Sequence, residues 1–445
     1  MAGHLLEAFR KFGRACAEVY DRSESREAWR KGRSCETLAV RAQMNQTFKA
    51  FTYRDYRLLW AGAFTSSVGT WMQEVAQNWL IFTMTGSAFL LSLDAFLGDI
   101  PFLLFSLLGG VLADRVDRRR ILLGSQVVQL SSAFLLAALI LGGAVRVWII
   151  LTLSFLVGLA QSFGGPAYQA LVPTLVDRED VPNAVALNSI QFNLARVIGP
   201  VLAGIAFYKL GAAACFGLNG ISFLAVIAAL LVLRRGALTA PASEPVLQSL
   251  KTGLSAVRET RALRGLIALA FVGSFCALPL VTFLPVFARN VFHRDAKGYS
   301  FLLAAFGVGA VCGAIGIAGF GHVRRKGMVA VAMQMVFGAL TAGFALSRIP
   351  ALSYVLLFSA GAALMVVFAM FMTLVQTNVQ DSLRGRVVSV YSLAFRGAMP
   401  LGNLAAGFAT KFAPAPTVLL VDGLILLTVG ALVLLRRNPE GVTSL

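Results

Sequence analysis

Long apolar runs separated by short polar breaks dominate the chain. Seven stretches carry no charge: Ile121–Gly142, Trp148–Val172, Ala212–Leu233, Gly265–Ala288, Tyr299–Phe320, Met328–Ser347 and Ala351–Val379. About 20 apolar residues cross a bilayer core as a helix, and a soluble fold has no use for seven such runs. The pattern predicts twelve spans. Six fall at 58–83, 88–113, 121–142, 147–172, 183–207 and 212–233; six more at 263–288, 298–320, 328–347, 351–379, 387–411 and 416–435. The break Arg234–Arg264 is rich in Pro, Ser and charge, and reads as a loop followed by a short amphipathic helix. The predicted fold is an all-α membrane protein with twelve transmembrane helices in two pseudo-symmetric six-helix bundles. Its parts are a basic N-terminal extension (1–47), a first bundle (48–234), a central loop (235–262), a second bundle (263–436) and a tail (437–445).

Composition agrees. Hydrophobic residues make up 58% and charged residues 13%, against about 25% charged in soluble domains. The net charge of +18 does not point to nucleic acid, because Lys and Arg collect in short loops rather than in a patch interleaved with aromatics. Counting Arg264 and Lys411, at the ends of spans 7 and 11, the segment 44–57 and the loops after even-numbered spans hold 21 of them; the loops after odd-numbered spans hold seven. The positive-inside rule then places both termini in the cytoplasm and the chain in the plasma (inner) membrane. One loop departs from the rule: that after span 7 carries Arg289, Arg294 and Lys297 and still falls outside.

The five cysteines are scattered and the three histidines form no ligand spacing, so no metal or cofactor is implied. No GxxxxGK[ST] loop occurs, which argues against ATP as the direct energy source. Residues 1–43 hold nine basic and six acidic side chains. They read as a basic amphipathic helix on the inner leaflet, or as a disordered extension upstream of Met44.

Away from the span ends, where Arg264 and Lys411 sit, six charges fall inside predicted spans: Glu74, Asp94, Asp99, Arg196, Arg396 and Asp422. Each costs roughly 2.5–3.5 kcal/mol at a helix centre unless it faces protein or water. On span 1, Ser67, Thr70, Glu74, Gln77 and Asn78 recur at helical spacing, which puts Glu74 on the wall of a central cavity. Glu74, Asp99, Arg196 and Arg396 are therefore the candidate proton-coupling or substrate-cavity residues. The two arginines fit substrate contact or a structural ion pair bracing two helices equally well. Asp94 lies about 140° around its helix from Asp99 and faces elsewhere. Asp422, on the last span, reads as structural. The halves repeat weakly: Arg196 and Arg396 each stand four residues before a proline, in spans 5 and 11.

The stretch GGVLADRVDRRRILL (Gly109–Leu123) resembles motif A of the major facilitator superfamily, through Gly110, Leu112, Ala113, Asp114, Arg115, Arg118 and Arg119. Asp117 stands where the motif prefers Gly. The segment Phe163–Gly204 and the opening Gly69–Phe89 are similar to the branch that contains the enterobactin exporter. They carry Pro166-Ala167, Pro173, Asn183-Ala184, Leu187-Asn188-Ser189, Arg196 and Gly199-Pro200. Gly199, Pro200 and Gly204 resemble a partial motif C, the element linked to export. The Arg expected in span 4 is absent.

The resemblance covers about residues 48–436 and implies a monomeric secondary transporter that works by alternating access on a small-molecule substrate. It also implies a gate at motif A, in which Gly110 admits close helix approach, Asp114 meets the N-terminal end of span 11 near Arg386, and Arg118 pairs with a facing acid. The copy after span 8, GFGHVRRKGM, has no acid. The function expected is proton-coupled export of small amphipathic or siderophore-like molecules. An importer or lipid flippase on the same fold is the alternative, and a non-transporting scaffold or sensor ranks below both. No nucleophile–base pairing is visible, so no enzyme is expected.

Overall fold

The computed structural model describes residues 48–233, 246–319, 325–380 and 383–435, without the side chains of Leu107, Val111, Asp114, 246–250 and 318–319. The extension 1–47, the tail 437–445 and half of the motif copy after span 8 (320–324) lie outside the described residues. Twelve long helices follow the predicted spans closely. The first six are α1 (Arg54–Thr85), α2 (Ala88–Arg115), α3 (Arg118–Leu141), α4 (Val147–Leu171), α5 (Val181–Leu210) and α6 (Ala212–Val232). The expected amphipathic helix is α7 (Val246–Glu259). Spans 7 to 12 are α8 (Arg261–Thr282), α9 (Ala296–Gly319), α10 (Lys326–Leu346), α11 (Pro350–Thr377), α12 (Arg384–Ala409) and α13 (Ala415–Leu435).

Ten helices among the described residues are long and apolar enough to cross a membrane. The exceptions are α1 and α12, at 32 and 26 residues. Their length suffices, since about 1.5 Å per residue carries both past a hydrocarbon core of about 30 Å. Polar residues lower their hydropathy, and these two helices carry Glu74 and Arg396.

Span 7 differs from the prediction. It is one apolar run in sequence, but the helix stops at Thr282; a short turn (Leu284–Val286) and a wide π turn (Phe287–Val291) follow. Pro285 has no N–H for the Val281 carbonyl, which breaks the ladder there. The basic loop that follows has structural uses for its charges. Arg289 donates to the carbonyls of Phe82 and Thr83 at the end of α1, where cations offset the helix dipole. Lys297 lies over the rings of Tyr208 and Phe301.

Close backbone contact organises each bundle in the same way. In the first, Gly158 of α4 sits against the Gly98 carbonyl of α2; in the second, Gly309 of α9 sits against the Phe358 carbonyl of α11. A Cβ at either glycine would collide with that carbonyl, as in other small-residue contacts between membrane helices. The bundles meet along two seams, α2 with α12 and α5 with α9.

Three apolar clusters show how the halves are joined. One contains Met72, Trp79, Phe82 and Phe216 of the first half with Phe283, Phe287, Tyr299 and Phe306 of the second. It lies toward the C-terminal end of α1. Toward the N-terminal end of α1 the halves have separate clusters, one around Tyr56, Leu59 and Leu187, the other around Leu263, Phe371 and Tyr391. The described core is therefore shared on the side opposite the basic loops and divided on the basic-loop side.

At the divided end, α1 is tied to the start of α5. The Ala50 N–H donates to Asn183, the Tyr56 hydroxyl to the Ala184 carbonyl, and the Trp60 indole to the Leu187 carbonyl. Residues that carry the family resemblance at 183–187 are thus a scaffold that receives α1. Asp180 accepts from Tyr53 at 2.7 Å and pairs with Lys49 at 2.9 Å. These bonds hold the Asp180 carboxyl below its ordinary value, raise Lys49, and push Tyr53 up to about 12. Asp180 thus stabilises the junction above the usual carboxylate range, and the effect is lost as pH falls through its lowered pKa. The contributions of Lys49 and Tyr53 are lost as pH rises through their raised values. Asp180→Asn is expected to loosen this junction alone. Hydrogen exchange will show less protection at 48–53 and unchanged protection inside α1; equal protection at 48–53 would contradict this.

Candidate functional site

The polar face of α1 turns inward as expected. Ser67 accepts from Gln191 of α5 at 3.0 Å, Gln77 donates to Asp94 of α2 at 2.7 Å, and Asn78 reaches the Tyr299 hydroxyl of α9 at 3.5 Å. Glu74, between these anchors, is solvent-exposed although it sits mid-helix; so are Asp99 on α2 and Arg396 on α12, while Arg196 on α5 is half-buried. The four candidates form one electrostatic group: Glu74 lies within reach of the charges of Asp99 and Arg196, and Asp99 within reach of Arg396. Exposure on a face that packs against protein marks a solvent-accessible cavity. Because the shared apolar core closes the other end, the cavity opens on the basic-loop side.

The arginines do not brace helices as ion pairs; among the described residues neither makes one. Both are held over aromatic rings. The Arg196 guanidinium lies 5.4 Å from the Trp71 ring centre and 5.8 Å from that of Phe306. Arg396 lies 4.7 Å from the Phe102 ring centre. Phe306 is on α9 and Phe102 on α2, so each arginine crosses a seam to a ring on the opposite half. The repeated Arg-x-x-x-Pro is thus a pair of related cation–π contacts, each leaving guanidinium N–H groups available to the cavity.

Asp94 belongs to a different structure. It is buried, accepts from Ser154 at 2.6 Å and from Gln77 at 2.7 Å, and ties α1, α2 and α4 together. Asp422 is buried on α13, and its Oδ2 has no hydrogen-bond partner among the described residues.

Motif A is placed with two amendments. The close approach expected of Gly110 belongs to Gly109, which sits against the Ser162 carbonyl of α4; a Cβ at Gly110 would meet nothing within 4 Å. Consecutive helical residues point about 100° apart, so only one of the two faces α4. Asp117, the departure from the motif, caps α3 by accepting from the Arg119 N–H at 2.9 Å. Arg118 is buried and donates to the Ala113 and Ala170 carbonyls. Arg119 donates to the Leu231 and Leu233 carbonyls, satisfying the end of α6. Arg115 is exposed. The Asp114 side chain lies outside the described residues.

The partial motif C is a packing element. A Cβ at Gly199 would strike Trp71 of α1, and one at Gly204 would come within 3.0 Å of Ser300 of α9; Pro200 is buried beside them. Glycine here brings α5 against α1 and across the seam.

The sequence reading missed Trp71, Phe102, Phe306 and Tyr299. Aromatic residues are common in apolar helices, and only the contact across a seam separates these from packing. Trp71 carried a signal, one turn before Glu74 on the polar helix.

A family model described as transmembrane secretion effector matches residues 45–444. The chain is 23% identical to macrolide efflux protein A of Streptococcus pyogenes, over 81% of this chain and 91% of that protein. It is 26% identical to the enterobactin exporter EntS of Shigella boydii serotype 4, over 88% of this chain and 96% of that protein. The crystal structure of the nucleoside transporter NupG superposes with a TM-score of 0.69 at 13% identity, covering 86% of this chain and all of that one, a likeness of fold.

Proposed function

The chain belongs to the transmembrane secretion effector family of major facilitator transporters, and from that membership we propose that it exports small amphipathic or siderophore-like molecules in exchange for protons. It is a multi-pass membrane protein of the transporter class. The observation that carries the reading is the cavity: two exposed mid-helix acids and two arginines with no ion pair among the described residues, reached from the basic-loop side and sealed on the other. With both termini cytoplasmic in the inner membrane, that opening faces the cell interior, where an exporter loads. The protein works as a monomer and without ATP. Whole-cell accumulation of a panel including macrolides and siderophores tests the reading. At least one compound will accumulate less in expressing cells, and a protonophore will abolish the difference. Equal accumulation of every compound would contradict export.

The gate rests on the same reading. Asp114 closes the basic-loop side by meeting the N-terminal end of α12 near Arg386, and releases it in the open form described above. Gly110, free in that form, becomes the contact surface when the halves close. Asp114→Asn removes a charge–dipole interaction of about 0.3–2 kcal/mol from one of two nearly balanced states. That shifts the balance by about twofold to thirtyfold and will lower transport at normal membrane levels; a wild-type rate would remove the latch.

A further inference from the structure

The face of α1 opposite the polar stripe is hollow. A groove of about 390 Å³ runs between α1 and α6, floored by Ala61, Gly62, Thr65, Ala225 and Ala228, with Arg54 at its end. A second, of about 340 Å³, runs between α1, α5 and α6 and includes Gly69, Leu202, Ile205, Ser222 and, at its far end, Lys209. Thr65 lines both, so they form one furrow. At 100° per residue, positions 58, 61, 62, 65, 69 and 72 point about 180° away from the face of 67, 70, 74, 77 and 78. The furrow is therefore separate from the transport cavity. It opens outward between exposed Leu202, Ile205, Leu218 and Val232, side chains that meet lipid in a membrane protein.

We propose that this furrow is a binding site for acidic phospholipid, with acyl chains against the small residues and a headgroup phosphate at Arg54. The furrow is apolar along its length and cationic at both ends, which matches lipid chains bounded by phosphates. Arg54 stands at the first turn of α1, at the membrane interface. Its contact among the described residues is one long approach to Asp55, at 3.4 Å; the other N–H donors remain for a phosphate, which guanidinium binds in a forked geometry. Lys209, exposed at the end of α5, offers the same charge to a lipid of the other leaflet. Small residues create the space. Gly62 and Gly69 let α6 come close, and the exposed Ala61, Thr65 and Ala228 leave a channel where larger side chains would fill the surface.

The test is retention of lipid by the full chain, extracted into detergent from vesicles of equal parts phosphatidylglycerol and phosphatidylethanolamine and weighed by native mass spectrometry. Wild type is expected to retain phosphatidylglycerol in preference. Arg54→Gln will lower that preference about tenfold. Arg57→Gln, whose guanidinium donates to the Phe51 carbonyl instead, will leave it intact. Thr65→Trp will reduce retention of both lipids by filling the furrow, and Ala228→Leu will do so more mildly if the tryptophan impairs folding. Equal retention of the two lipids by wild type, an unchanged preference in Arg54→Gln, or full retention in the filled variants would overturn the proposal.

Discussion

Joining Gly204→Cys to Ser300→Cys by oxidation, in a chain otherwise free of cysteine, will stop transport completely, and reduction will restore it. A Cβ at Gly204 stands 3.0 Å from the Ser300 Cβ. A disulfide needs about 3.8 Å, a small adjustment for two helix faces already in contact. The pair joins α5 to α9 on the sealed side, where Trp79 stacks on Tyr299 and Arg289 caps α1. Alternating access requires this side to open once per cycle. The bridge holds it shut, so substrate enters the cavity from the basic-loop side and cannot leave by the other. The reduced double variant sets the reference rate, since a Cβ at Gly204 already presses on Ser300. A cross-linked protein that still transports would mean that this seam is not an outer gate.

Glu74→Gln will uncouple transport from a pH gradient while substrate still binds. The glutamine has the shape of the protonated acid and cannot lose a proton. Glu74 is exposed in the middle of α1, within reach of the charges of Asp99 and Arg196. If closure changes its distance from the Arg196 guanidinium or its hydration, the balance between its two protonation states changes with it. On the proposed reading, that change would let one carboxylate load a proton on one side and release it on the other. Gradient-driven transport is expected to fall to the passive rate in Glu74→Gln and to a lesser extent in Asp99→Asn. Unaltered rates in both variants would leave these acids as structural neighbours of the arginines.

Much of this arrangement was legible because the bilayer imposes it. A run of about 20 apolar residues has few solutions in lipid, so the spans emerged within a few residues of their observed limits. The polar face of α1 was legible for the same reason: Gln77 and Asn78 have to find partners inside the protein. Contacts between distant segments were not legible. Nothing near Arg196 or Arg396 in sequence announces Phe306 or Phe102, which lie on other helices across a seam. The stop in α8 needed Pro285 to be weighed against an otherwise apolar run. The basic loop after span 7, the exception to the expected charge pattern, has a use for Arg289 that sequence does not announce: it caps α1. Glycine roles were half legible. Motif A pointed to Gly110, but helix phase decides which of two adjacent glycines meets α4, and the answer is Gly109.

The most direct measurement uses purified protein in sealed vesicles with an imposed pH gradient, following a compound identified by whole-cell efflux. The account predicts that the compound moves against the proton flow, at a rate set by the gradient and lost in Glu74→Gln. Movement in the same direction as the protons, or at a rate indifferent to the gradient, would contradict it.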